Sequence, residues 1–273
     1  MKLILIILFA ISNPIEILSQ YDSSYYTNSN YGKKYFNEGD YKKSIFHFSL
    51  IQDSLLRPID FIVLLNMYAN LNDTNNIKNT TLKYIKAKNS CEKILGIKSL
   101  FKYKNLFQNV CISDFDSIYS LENNKLLPFI CFLDSSIRHS NRLRKEEKLD
   151  SSKIAKLDKE AFLFLKTLNI EKIAKGLRYI IQKDYKVYLN LQTTLVHINY
   201  YDSISSELIE NWANQFMYYG ILEPKEYAYI IDRRIASMGS KKQKFGEHLW
   251  TYNKLELEEI NINRKKIGLI PID

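Results

Sequence analysis

Glycine and proline are scarce in this chain, at 8 and 5 of 273 residues. A many-stranded sandwich or barrel needs frequent tight turns, so the shortage favours long helices. Cysteine is scarcer. Cys91, Cys111 and Cys131 stand twenty apart with no Cys-x-x-Cys, and three thiols allow at most one intramolecular disulfide. All three sit in apolar contexts, which predicts buried, inert thiols rather than a disulfide framework or a nucleophile. His47, His139, His197 and His248 show neither His-x-x-x-His nor Glu-x-x-His spacing, so no metal site is expected. A Gly-x-Ser-x-Gly elbow, a Walker loop and a dinucleotide glycine fingerprint are also missing, and no cofactor is implied.

Aromatic residues are abundant, with 20 Tyr and 14 Phe, and the hydrophobic fraction of 46% is ample for a core. The formal charge of +9 is spread along the chain. Its densest run, Arg138 to Lys145, is followed at once by Glu146 and Glu147. That mixture reads as a solvated helix face, and with no nucleic-acid motif beside it, nucleic acid is not an expected partner.

The N-terminus is more specific. Met1-Lys2 precedes an uninterrupted apolar run, Leu3 to Ile11, then a break at Ser12-Asn13-Pro14 and a second short stretch to Gln20. This order reads as a secretory signal peptide over residues 1–20, cleaved near Ser19 or Gln20. The apolar run is too short to span a bilayer. The expectation is an exported protein, periplasmic or extracellular, with no stable membrane span after signal removal.

Residues Tyr31-Gly32-Lys33-Lys34-Tyr35-Phe36-Asn37-Glu38-Gly39-Asp40, continued to Ser44, resemble a tetratricopeptide repeat. Small Gly32 and Ser44 would let two antiparallel helices approach, with Tyr35, Phe48 and Ile51 filling the groove and Asn37 to Asp40 making the turn. A shift by the usual 34 residues gives a degenerate second unit, with Ala69 at the Tyr35 position and Lys78 at the Ser44 position. Helical repeats stack to expose a groove, so protein is the partner expected there. A composition change between Val110 and Asn124 divides the chain into a repeat-like region, 21–112, and a C-terminal helical domain, 122–273. In the second part, helices are expected at Leu126 to Lys148, Ile154 to Leu168, Val187 to Ile198, Glu207 to Tyr219, Glu223 to Met238 and Glu256 to Ile267. Lys244 to Tyr252 is the one candidate for a hairpin. The fold class is therefore mainly α, with tetratricopeptide-like hairpins followed by a helical domain and a small irregular or hairpin element near its end.

The segment Ile231-Asp232-Arg233, Gly239, Gln243-Lys244-Phe245-Gly246, then Asn263-Arg264 with Gly268-Leu269, resembles the closing signature of an uncharacterised bacterial family, a domain of unknown function. In that family Asp-Arg ends a helix, a Gly-x-x-x-Gln-x-(Tyr/Phe)-Gly turn follows, and Arg-x-x-x-Gly-Leu closes the chain. The resemblance also matches Asp134 and Arg138 to an Asp and Arg four apart, and His197 to a His near the end of a middle helix. A Gly-aromatic-Pro element has no counterpart here between Leu168 and Val187. The family has no established reaction, and the resemblance implies none.

Convergence of these residues would admit two kinds of site. His197 could act as a general base oriented by Asp134 or Asp232, giving hydrolase-type chemistry. Arg138, Arg233, Gln243, Arg264 and the backbone amides near Gly246 could instead hold an anionic ligand. A structural reading stands beside both and is preferred. In it, Asp232 and Arg233 tie their helix to the Gly239–Gly246 turn, Gln243 points back to that junction, and Arg264 reaches it from the last helix. The favoured function is an exported interaction or ligand-binding protein, and an enzyme is the alternative.

Overall fold

Aspartate and asparagine set the helix starts. In a computed structural model, Asp22, Asp40, Asp73 and Asn169 each accept the main-chain N–H three residues on, from Tyr25, Lys43, Asn76 and Lys172. Each such cap contributes about 1 kcal/mol. The structure describes residues 21–108, 115–145, 151–197, 203–237, 239–240, 242–248 and 254–272, and the expected signal peptide lies outside them. Among the described residues the fold is mainly α, without strands. The helices are α1 Ser23–Asn37, α2 Tyr41–Ser49, α3 Pro58–Asn70, α4 Thr74–Lys86, the short α5 Cys91–Leu95 and α6 Lys104–Gln108, α7 Phe115–Lys145, α8 Ser151–Lys166, α9 Ile170–Lys183, α10 Tyr185–His197, α11 Ser203–Tyr218, α12 Pro224–Ser237 and α13 Lys254–Lys266. None of the described helices is long and apolar enough to cross a membrane.

The first four helices form two hairpins with the same turn. Gly39 and Asn72, 33 positions apart, both have positive φ, and the main-chain bonds around them repeat one for one. Asp40 N donates to Tyr35 O as Asp73 N donates to Tyr68 O, and Tyr41 N to Gly39 O as Thr74 N to Asn72 O. The structural repeat is therefore 33 residues, one less than the sequence expectation, which pairs Ser44 with Ile77 instead of Lys78. In the first hairpin the Ser44 hydroxyl donates to the Gly32 carbonyl at 2.6 Å. The Phe48 ring lies where a Gly32 side chain would be, 2.6 Å from an ideal Cβ.

One hydrophobic core runs from Tyr21 to Phe245, across the expected domain boundary. α7 begins at Phe115, inside that boundary, and α9 and α10 pack along it. The two ends of the chain meet as well. Tyr21 N donates to Tyr218 O, the Tyr26 hydroxyl donates to the Met217 and Leu222 carbonyls, and Asn30 Nδ2 donates to Gly268 O at 2.8 Å. Gly268 has φ 76° and presses against Tyr26, Ser23 and Thr27, so no side chain fits there.

The cysteines differ from expectation. Cys91 is disulfide-bonded and Cys131 is a free, exposed thiol, while Cys111 lies outside the described residues. Their apolar neighbours misled because Cys131 occupies the outer face of α7, whose inner face carries Leu126, Phe129 and Leu133.

Candidate functional site

Three places concentrate polar chemistry: the loop after α12, a buried ionic network between the first hairpins and the rest, and a cleft between the hairpins.

The loop is built around Asp232, which is 0% exposed. Its Oδ1 accepts the amides of Lys244 at 2.7 Å and Phe245 at 2.9 Å; its Oδ2 accepts those of Glu247 at 2.8 Å and Phe245 at 3.2 Å. Gly246, at φ 73°, provides the left-handed bend that turns successive amides onto one carboxylate. Gln243 Oε1 accepts the His248 amide at 2.8 Å. Arg264 reaches in from α13, donating from Nη1 to Phe245 O at 3.0 Å and Glu247 Oε1 at 2.7 Å, and from Nε to Ile270 O at 2.8 Å. Phe245 is buried edge-on against Tyr227, with ring centroids 5.7 Å apart. Residues 244–248 are bends, and the rest of the hairpin candidate, 249–252, lies outside the described residues.

This geometry reassigns several expected site residues. The amides near Gly246 do form an anion-binding nest, but the chain's own Asp232 fills it. Both Asp232 oxygens are spent on main-chain amides, which leaves no face for orienting an imidazole. Arg264 is likewise committed to loop and terminal carbonyls. Among the described residues Arg233 donates to the Tyr229 hydroxyl, at 3.4 Å, and to no loop carbonyl. Asp134 pairs with Lys186 at 2.7 Å and accepts from Asn190 at 3.5 Å, both on α10. The side chains of Arg138 and His197, including the expected Asp134–Arg138 pair, lie outside the described residues. Thr193 and Thr194 on the same helix donate back to the carbonyls of Leu189 and Asn190.

The ionic network has no counterpart in the sequence reading. Arg57, at the start of α3, makes a bidentate pair with Glu223 at the start of α12, at 2.7 and 3.0 Å. Its Nε donates to the Tyr25 hydroxyl at 2.6 Å, and its guanidinium lies over the rings of Tyr25 and Tyr26. Asp60 is 0% exposed and accepts from the Tyr25 hydroxyl, from Ser29 Oγ at 2.7 Å and from Arg57 N at 3.0 Å, with Lys33 Nζ at 3.4 Å. Burial alone would raise the Asp60 carboxyl, but Arg57, Lys33 and the two hydroxyls hold it below its ordinary range. Glu223 is likewise held low, against its burial, by Arg57 and Lys33. Glu226, one turn along α12, is pushed up by burial and by Glu223. Arg57-Pro58-x-Asp60 was the available signal, since an acid at the third helical position reaches back to the helix-start amide.

The cleft lies between α2, the linker with a 3₁₀ turn Asp53–Leu55, α3 and α4. Its volume is about 290 Å³. Ile45, Phe48, Ile51, Leu56, Phe61 and Leu64 supply apolar wall, Ser49, Tyr68 and Thr80 add hydroxyls, and Asp53 and Lys83 stand at the opening. Asp53 and Lys83 pair at 2.7 Å. It exists because the linker spaces the hairpins while Phe48 and Ile51 on one side face Phe61 and Leu64 on the other.

Among the described residues no group of three or more His, Cys, Asp or Glu could hold a metal ion. No protein-family model, curated protein or solved structure matches the chain.

Proposed function

We propose that the chain is an exported binding protein and that it binds through the cleft between its two N-terminal hairpins. The single observation that carries this reading is the cleft itself. An apolar wall of six side chains, bordered by three hydroxyl side chains and one ion pair, has the composition of a ligand site. The paired hairpins with a common turn support a tetratricopeptide-like reading of residues 21–112, in which stacked helices present a groove to a partner. Export draws support from the Cys91 disulfide, which persists in oxidising compartments. Hydrolysis is the weaker reading, because Asp232 is consumed by its loop and Asp134 by Lys186.

Calorimetric titration with 1-naphthol, an apolar probe with one hydroxyl, tests the site. Wild type should bind it, and Ser49→Trp, which places a large ring at the exposed edge of the cleft, should not. Equal binding by both proteins, with unchanged circular dichroism, would remove the cleft from consideration.

A further inference from the structure

The opening of the cleft carries one negative and one positive side chain, and they come from different walls. Asp53 belongs to the linker between the hairpins and Lys83 to α4. Their contact at 2.7 Å is half in water, with the side chains 59% and 50% exposed. A pair this exposed contributes little to stability, so a ligand can open it at small cost. The opening is neutral overall. An anionic ligand would engage Lys83 and leave Asp53 facing its charge, and a cationic ligand would do the reverse. A ligand bearing both charges on neighbouring atoms replaces one ion pair by two.

The interior restricts the rest of that ligand. The wall formed by Phe48, Ile51, Leu56, Phe61 and Leu64 has no charge. Among the described residues, neither the Tyr68 nor the Thr80 hydroxyl has a hydrogen-bond partner, so both remain able to meet polar atoms of a ligand near the opening. A volume of about 290 Å³ lies at the small end of ligand pockets, which suits one aromatic group or one branched chain.

We infer that the cleft takes a free α-amino acid with a large apolar side chain, its ammonium on Asp53, its carboxylate on Lys83 and its side chain against the apolar wall. The inference rests on the reading of the cleft as the binding site. It extends that reading to a chemical class that neither the hairpin architecture nor the apolar wall alone would select.

Calorimetric titrations with L-phenylalanine and L-tryptophan, 3-phenylpropionate, phenethylamine and 1-naphthol test it on the full folded chain. The amino acids should bind, and the analogues lacking the ammonium or the carboxylate should bind at least about tenfold more weakly, the loss that follows an unpaired charged partner. Lys83→Met and Asp53→Asn, both at exposed positions, should each weaken amino-acid binding to a similar degree. If 1-naphthol binds and the amino acids do not, or if 3-phenylpropionate binds as well as phenylalanine, the zwitterion inference is wrong and the cleft reading stands. If no probe binds, both are wrong.

Discussion

The Phe245 amide donates to both oxygens of the Asp232 carboxylate, at 2.9 and 3.2 Å, in the centre of a loop that adds two further amides to the same group. The loop has little other regular structure, so the carboxylate holds its shape. Asp232→Ala would strand buried donors and cost about 1–3 kcal/mol. Urea unfolding should register that loss while 1-naphthol affinity stays unchanged. Lost affinity with stability intact would make Asp232 part of a functional site.

Arg57 joins the hairpins to α12. Replacing it with Met would leave Asp60 buried without its main countercharge, and breaking such a pair costs about 3–5 kcal/mol. The pH dependence has a definite sign. Asp60 and Glu223 are held below their ordinary values, so their contribution is present above the unfolded carboxyl range and is lost as pH falls below about 4. Glu226 is raised, so its ionisation opposes folding as pH climbs above about 4.3, and acidification relieves that cost. Glu226→Gln should therefore be more stable than wild type near neutrality, with the difference vanishing in acid. Thermal melts across pH check both signs, and a constant difference would contradict the second.

Much of the architecture was legible in the sequence, for physical reasons that vary by element. Pro224 and Gly239 bracket α12 as helix start and stop residues do, and Gly32 with Ser44 marked the close approach of α1 and α2. α9 lies in the stretch without a Gly-aromatic-Pro element, yet Ile170, Ile173, Ala174, Leu177 and Ile180 make a complete buried stripe with a plain helical period. The role of Asp232 as a loop anchor was legible because an acid beside a glycine-bounded turn can accept its amides. The Arg57–Glu223 pair was not, since nothing local links residues so far apart in sequence. The cleft was not legible either, because its shape depends on how the linker spaces two hairpins.

Gly32→Ala tests the first hairpin. Alanine is the better helix former by about 1 kcal/mol, yet its Cβ would fall 2.6 Å from the buried Phe48 ring. Overpacking should win, destabilising the protein by about 1–3 kcal/mol in urea unfolding. A stabilised variant would mean that the two helices stand further apart.

Thiol reactivity checks the cysteine assignment. The native, unreduced protein should take one equivalent of maleimide, and peptide mapping should place it on Cys131. The same map should find Cys91 in a disulfide-linked peptide. Modification at Cys91 without reductant would contradict the assignment and weaken the argument for export.

The most direct test of cleft binding is amide shift mapping by NMR during titration with 1-naphthol. The account predicts perturbations concentrated at Ile45 to Leu56, Phe61 to Tyr68 and Thr80 to Lys83, around the cleft. Perturbations centred instead on Asp232 to His248 and Arg264 to Leu269, or none anywhere, would contradict it.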